Sequence, residues 1–93
     1  MEISHNDNGN TGVFYIEQNG DRLAEMTYKW ENNRILIDHT RVSDVLAGKG
    51  IGKQLVNKGV EFARLRHTTI VPICPFVEKL LTSNSEYRDV LQP

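Results

Sequence analysis

Apolar and polar positions alternate with a period of two through the first half of the chain, then recur at three and four residues through much of the second. Val13–Gln18 carries β-branched and aromatic residues and reads as a strand. In Arg22–Trp30, Leu23, Glu25, Thr27 and Lys29 alternate with Ala24, Met26, Tyr28 and Trp30, so one face is clearly the more apolar. Arg34–Val42, with Ile35-Leu36-Ile37 near its start, is a third strand. Asn19-Gly20 is a strong signal for a tight primed hairpin turn, and Glu31-Asn32-Asn33 makes a second turn. These segments predict an antiparallel meander.

The period changes at Ile51–Arg66. Ile51, Leu55, Val56, Gly59, Phe62 and Ala63 fall on one helical face, and Lys53, Asn57, Lys58, Glu61 and Arg64 fall away from it. Thr69–Ile73 is a short β-branched run, too short for a helix. A strand, a helix and a strand in succession imply a crossover to a parallel neighbour. Pro75 suits the first turn of a helix over Phe76–Leu81, and Ser83–Leu91 reads as a further helical turn with Tyr87 and Leu91 packing back. The predicted order is β-β-β-α-β-α, an α/β (α+β) domain with a mixed, mostly antiparallel sheet. Residues 5–12 are rich in turn formers and read as a mobile lead-in or a loop after a short first strand.

Bulk properties narrow the function classes. A chain of 93 residues is one small domain, and its net charge of −1 gives no global field to recruit nucleic acid or an acidic membrane. No apolar run approaches the roughly 18 residues of a transmembrane span, and Met1–Gly12 lacks the apolar core of a signal peptide. One cysteine excludes an internal disulfide and fits a reducing cytoplasm. His5 and His67 have no partners at metal-ligand spacing, so no metal site is expected.

The stretch with the most chemistry is Gly48-Lys49-Gly50-Ile51-Gly52-Lys53, set where a strand gives way to a helix. Glycines at alternate positions permit unusual backbone conformations and close approach by a ligand. The helix N-terminus offers unpaired N–H groups and partial positive charge, and Lys49 and Lys53 add full charges. Phosphate or pyrophosphate is the anion that fits best. The loop matches neither common nucleotide pattern: a P-loop fails at Ala47 and Gln54, and the dinucleotide fingerprint fails at Lys53. Taken alone, it reads equally well as a flexible turn or a ligand loop.

Its surroundings carry a resemblance. His39-Thr40-Arg41-Val42, then Leu46 to Gly52, then Val71-Pro72-Ile73-Cys74-Pro75-Phe76, then Glu86-Tyr87, resemble the compact, single-domain branch of the Gcn5-related N-acetyltransferases over roughly Arg22 to Leu91. That family's loop is usually Arg or Gln, two residues, Gly, one residue, Gly or Ala. Gly50 and Gly52 fit, whereas Ala47 stands at the Arg/Gln position. The resemblance implies acetyl-CoA lying along the third strand. Its pyrophosphate would rest on the loop from Gly48 and Lys49 through Gly50, Ile51 and Gly52 to Lys53. Its pantetheine arm would enter a cleft between the strands at 34–42 and 69–73, with the thioester near His39 and Cys74. The implied partner is an amine on a small molecule, peptide or protein; the oligomeric state is open between monomer and weak dimer.

Acetyl transfer to an amine needs in-line positioning, removal of a proton and stabilisation of a carbonyl oxygen. Backbone N–H groups near Val42 suit the oxygen. His39 is either the general base or an inert histidine of a half-buried strand. Alternation places Asp38 on the opposite face from His39, as a solvated or turn-anchoring carboxylate. Cys74 has three readings: lining of the thioester pocket, an acetyl-accepting nucleophile with His39 as its base, or plain core. Phe14, Tyr28 and Trp30 read as sheet packing, and Tyr87 as the anchor of the C-terminal segment. Beside the transferase stand a non-catalytic acetyl-CoA-binding module, a hydrolase using Cys74 and His39, and a pure interaction domain.

Overall fold

The computed structural model describes residues 1–91. Five strands form one sheet in sequence order: β1 (Ser4–Asp7), β2 (Thr11–Gln18), β3 (Asp21–Glu31), β4 (Arg34–Val42) and β5 (Ile70–Pro72). The first four are antiparallel neighbours, and β5 runs parallel to β4. Helix α1 (Ile51–Leu65) connects β4 to β5, and α2 (Pro75–Ser83) follows with Pro75 in its first turn. This is the expected mixed α/β architecture with one strand added at the front.

Both predicted turns form, the one at Asn19-Gly20 with the primed geometry expected of it. Asn19 and Gly20 have φ of 53° and 85°, and Asn32 and Asn33 have 53° and 63°. Positive φ at both central residues gives the primed turn whose twist matches paired strands, and Asn and Gly tolerate it best. The inward face of β3 (Ala24, Met26, Tyr28) meets the apolar stripe of α1, namely Ile51, Leu55, Val56, Val60 and Ala63, and Val77 and Leu81 of α2 complete the same core. Gly59 permits close approach of helix to sheet: a Cβ there would lie 2.9 Å from Met26 Cε. No helix among the described residues is long and apolar enough to cross a membrane.

Three local expectations change. Ser4–Asp7 is a strand paired with Gly12–Tyr15 rather than a mobile lead-in, and the turn formers from Asn8 to Asn10 make the loop that follows this short first strand. Its side chains explain why. His5 stacks on Phe14 at 4.0 Å between ring centroids and meets the edge of Phe62 at 4.6 Å, while its Nε2 lies 2.7 Å from the Tyr28 hydroxyl. The Tyr28 hydroxyl and Trp30 Nε1 both donate to Asp7 Oδ2. These contacts reach as far along the chain as Phe62 and outweigh the local turn preference of the segment. Second, Ser85–Tyr87 forms only a 3-10 turn, and Leu91 bridges to Ile70 in parallel. Tyr87 is nonetheless the buried anchor expected, with its hydroxyl donating to Asn57 Oδ1 at 2.7 Å.

Third, a β-bulge shifts the register of β4. Tyr28 pairs with Ile37 but Thr27 pairs with His39, so Asp38 is the extra residue. A bulge reverses the alternation on either side of it. Ile35 and Ile37 face the core before it, and Thr40 and Val42 take that face after it, opposite Met26 and Ala24. Asp38 and His39 therefore share the outer face, where Thr27 Oγ1 donates to Asp38 Oδ1 at 2.7 Å. This corrects the opposite-face expectation for the pair.

Candidate functional site

β4 and β5 pair only over Ile35–Ile37 and Ile70–Pro72. The N–H groups of Ile73 and Cys74 then both bond to the Ile37 carbonyl, at 2.9 and 3.0 Å, and the chain turns away into α2. Beyond Ile37, β4 continues beside β3 alone. Its pairing residues on that side are His39, Arg41 and then Ser43, whose N–H bonds to the Leu23 carbonyl at 2.7 Å. By alternation the N–H and C=O groups of Thr40 and Val42 point into the gap that β5 leaves. An open strand edge thus lies inside the sheet, next to the loop of interest.

At the far end of that edge Ser43 caps a 3-10 turn over Asp44–Leu46, and Gly48 and Gly50 follow with φ of 76° and 69°. Gly50 is the N-cap of α1 and supplies no side-chain cap. The first intrahelical bond runs from Gln54 N–H to the Gly50 carbonyl, at 3.1 Å, which leaves the N–H groups of Ile51, Gly52 and Lys53 unpaired. The first turn holds no acidic residue; it holds Lys53. A cation at the positive end of a helix dipole is unfavourable alone and becomes favourable beside a bound anion.

A cleft of about 550 Å³ joins edge and loop. Of the loop and strand residues singled out in the sequence, Val42, Gly48, Gly50, Ile51, Gly52 and Lys53 line it, whereas the exposed Lys49 does not. Thr40, Leu46 and Phe76 also line it and were not foreseen. The signal for Phe76 lay in Gly52: a Cβ on Gly52 would come 2.8 Å from Phe76 Cζ, so the ring occupies the space that the missing side chain frees.

His39 and Cys74 lie outside this lining. His39 is half exposed on the outer face, with Nε2 3.6 Å from Glu25 Oε2. Glu25 also lies 3.6 Å from Arg22 Nη1. Cys74 is the N-cap of α2 and packs against the core. Among the described residues no hydrogen bond joins His39 to Cys74, although His39 follows closely on Ile37 in β4 and the Cys74 N–H bonds to the Ile37 carbonyl, where the strands part. Sequence alternation left Glu25 among the polar positions of β3; only the pairing of strands brings it to His39.

Comparison with known proteins agrees with this geometry. A sequence model of the GCN5-related N-acetyl-transferases matches residues 13–90. The solution structure of a GCN5-like protein from Staphylococcus aureus is 39% identical, covers 98% of this chain and 87% of its own, and superposes with a TM-score of 0.73. A ribosomal-protein-alanine N-acetyltransferase from Brucella melitensis is 20% identical over 78% of this chain and 61% of its own, with a TM-score of 0.62, a likeness of fold. A comparison with curated proteins returns no match. The loop, the parted strands and the family match lead to one conclusion: the chain belongs to the GCN5-related N-acetyltransferases.

Proposed function

We propose that this protein is an acetyl-CoA-dependent N-acetyltransferase that binds its cofactor in the cleft between β4 and the start of α1. The observation that carries this reading is the continuity of the open β4 edge at Thr40 and Val42 with the unpaired N–H groups of Ile51, Gly52 and Lys53. An extended arm bearing amides suits the edge, because it restores the ladder bonds that β5 does not make. A pyrophosphate suits the helix start, with Lys53 beside it. Nothing lies within 4 Å of where a Cβ of Gly50 would stand, so that position leaves the helix start open. The residues present therefore fit acetyl-CoA, even with Ala47 in place of Arg or Gln, because backbone donors supply the anion contacts.

Bound acetyl-CoA supplies an acetyl thioester, whose carbon–sulfur bond is exchanged for a carbon–nitrogen bond to the acceptor amine. In this reading the β4 edge orients the arm and offers backbone N–H to the carbonyl oxygen. His39 takes the proton that the amine must lose, and Glu25 steadies the imidazolium that results. Cys74 packs against the core beside Ile37 and takes no part in the transfer. The acceptor is an amine of a small molecule, peptide or protein reaching His39 from the uncovered sheet face. The lone thiol suits a reducing cytoplasm.

The test follows free thiol release from acetyl-CoA across a panel of amines. Amine-dependent release supports the transferase. Saturable binding with no release under any amine supports a non-catalytic acetyl-CoA-binding module instead.

A further inference from the structure

Two side-chain polar atoms among the described residues are out of water and lack any hydrogen-bond partner: Arg34 Nε and Thr40 Oγ1. Arg34 opens β4 beside the Asn32-Asn33 turn, away from the cleft. Thr40 lines the cleft at the middle of the open β4 edge.

A buried hydroxyl with no partner is unfavourable to the free protein, and apolar residues of the same shape avoid the loss. Its inward position opposite Met26, beside Ala24 and Val42, would suit valine better. Its hydroxyl finds no hydrogen-bond partner among the described residues, and its side chain borders the cleft. Rotation about χ1 from one staggered well to the next carries Oγ1 into the place of the methyl group and the methyl into that of the Cβ hydrogen, and needs no backbone movement.

We propose that the Thr40 hydroxyl is a binding group for the amide-bearing arm of an acyl-CoA, left unpartnered in the free protein and satisfied when the arm lies along β4. The inference rests on the acetyl-CoA reading above and extends it to a side chain that selects the arm rather than the nucleotide. The hydroxyl serves as donor to an amide carbonyl or acceptor from an amide N–H, and valine does neither.

Thr40→Val and Thr40→Ser separate the possibilities, with CoA and ADP as probes in calorimetry and with thermal unfolding of the free proteins. The expected results are a Thr40→Val unfolding midpoint at or above that of the parent, CoA binding about 5- to 10-fold weaker, and unchanged ADP binding. Thr40→Ser should keep CoA affinity within about 2-fold, because it keeps the hydroxyl. Equal CoA binding by the parent and Thr40→Val overturns the inference while leaving the acetyl-CoA reading standing. Equal loss of CoA and ADP binding, or loss of the fold in Thr40→Val with weakened CoA binding in Thr40→Ser, assigns Thr40 a structural role and also overturns it. A parent protein that does not bind CoA removes both readings together.

Discussion

The ring of Phe76 rests on the bare backbone of Gly52, so close that a Cβ at Gly52 would lie 2.8 Å from Cζ and 3.0 Å from Cε2. This contact joins the first turn of α2 to the first turn of α1 and closes one side of the cleft. Phe76 is 47% exposed, so its ring can swing outward without breaking the core. Gly52→Ala is therefore expected to change stability by less than about 1 kcal/mol, with the gain in helix propensity offsetting the displaced ring. Acetyl-CoA affinity should change more than stability does. Adding Phe76→Ala to Gly52→Ala should recover part of that change, as paired calorimetry and thermal unfolding would read.

Gly50 presents a different constraint. Nothing lies within 4 Å of a Cβ built there, but its φ is 69°. Alanine pays the left-handed penalty of about 1–2 kcal/mol, whereas asparagine adopts that region more readily. Chemical denaturation should rank stability as glycine, then Gly50→Asn, then Gly50→Ala. A Gly50→Ala protein as stable as the parent would contradict the assigned backbone geometry.

His5 makes the attachment of β1 sensitive to acid. Burial against Phe14 and Phe62 lowers its pKa, Asp7 raises it, Arg66 lowers it, and the net shift is downward. The folded protein thus resists protonation that the unfolded chain accepts near pH 6.5. The contribution is fully present above that value and is lost as pH falls through it towards the lower folded value. The effect is small, because the residue is exposed on its outer side and screened by solvent. The unfolding midpoint should fall further between pH 7.5 and 5.5 in the parent than in His5→Phe. His39 and His67 remain in both proteins, so the comparison removes their share.

Turnover should separate the residues near Ile37. His39→Ala is expected to lower the rate by about 10²- to 10⁴-fold at neutral pH, with acetyl-CoA affinity unchanged. Glu25→Gln, which removes the carboxylate 3.6 Å from His39 Nε2, should lower it less. Cys74→Ala should retain most of the activity. Steady-state kinetics decide this: loss of turnover in Cys74→Ala comparable to that in His39→Ala would restore the nucleophile reading of the thiol.

Much of the fold was legible because local signals agreed with one another. The Asn-Gly and Asn-Asn turns, the alternation of β3 and the stripe of α1 all match the structure. The glycine loop was legible too, because Gly48 and Gly50 adopt the conformations for which glycine is suited. What alternation missed was decided at a distance. The bulge at Asp38 carries no glycine to announce it, yet it places Asp38 and His39 on one face and turns Thr40 towards the core. His5 stacks on rings contributed by β2 and α1, which turn-forming neighbours conceal in the sequence. Phe76 reaches Gly52 from 24 residues away through the packing of two helices.

The most direct measurement is a titration of isotopically labelled protein with acetyl-CoA, followed by amide NMR shifts. The account predicts saturable shifts concentrated at Thr40, Val42 and Gly48–Lys53, and their loss in a Gly50→Glu, Gly52→Glu variant that remains folded. Absence of saturable shifts at millimolar acetyl-CoA, or shifts centred on another face of the sheet, would contradict it.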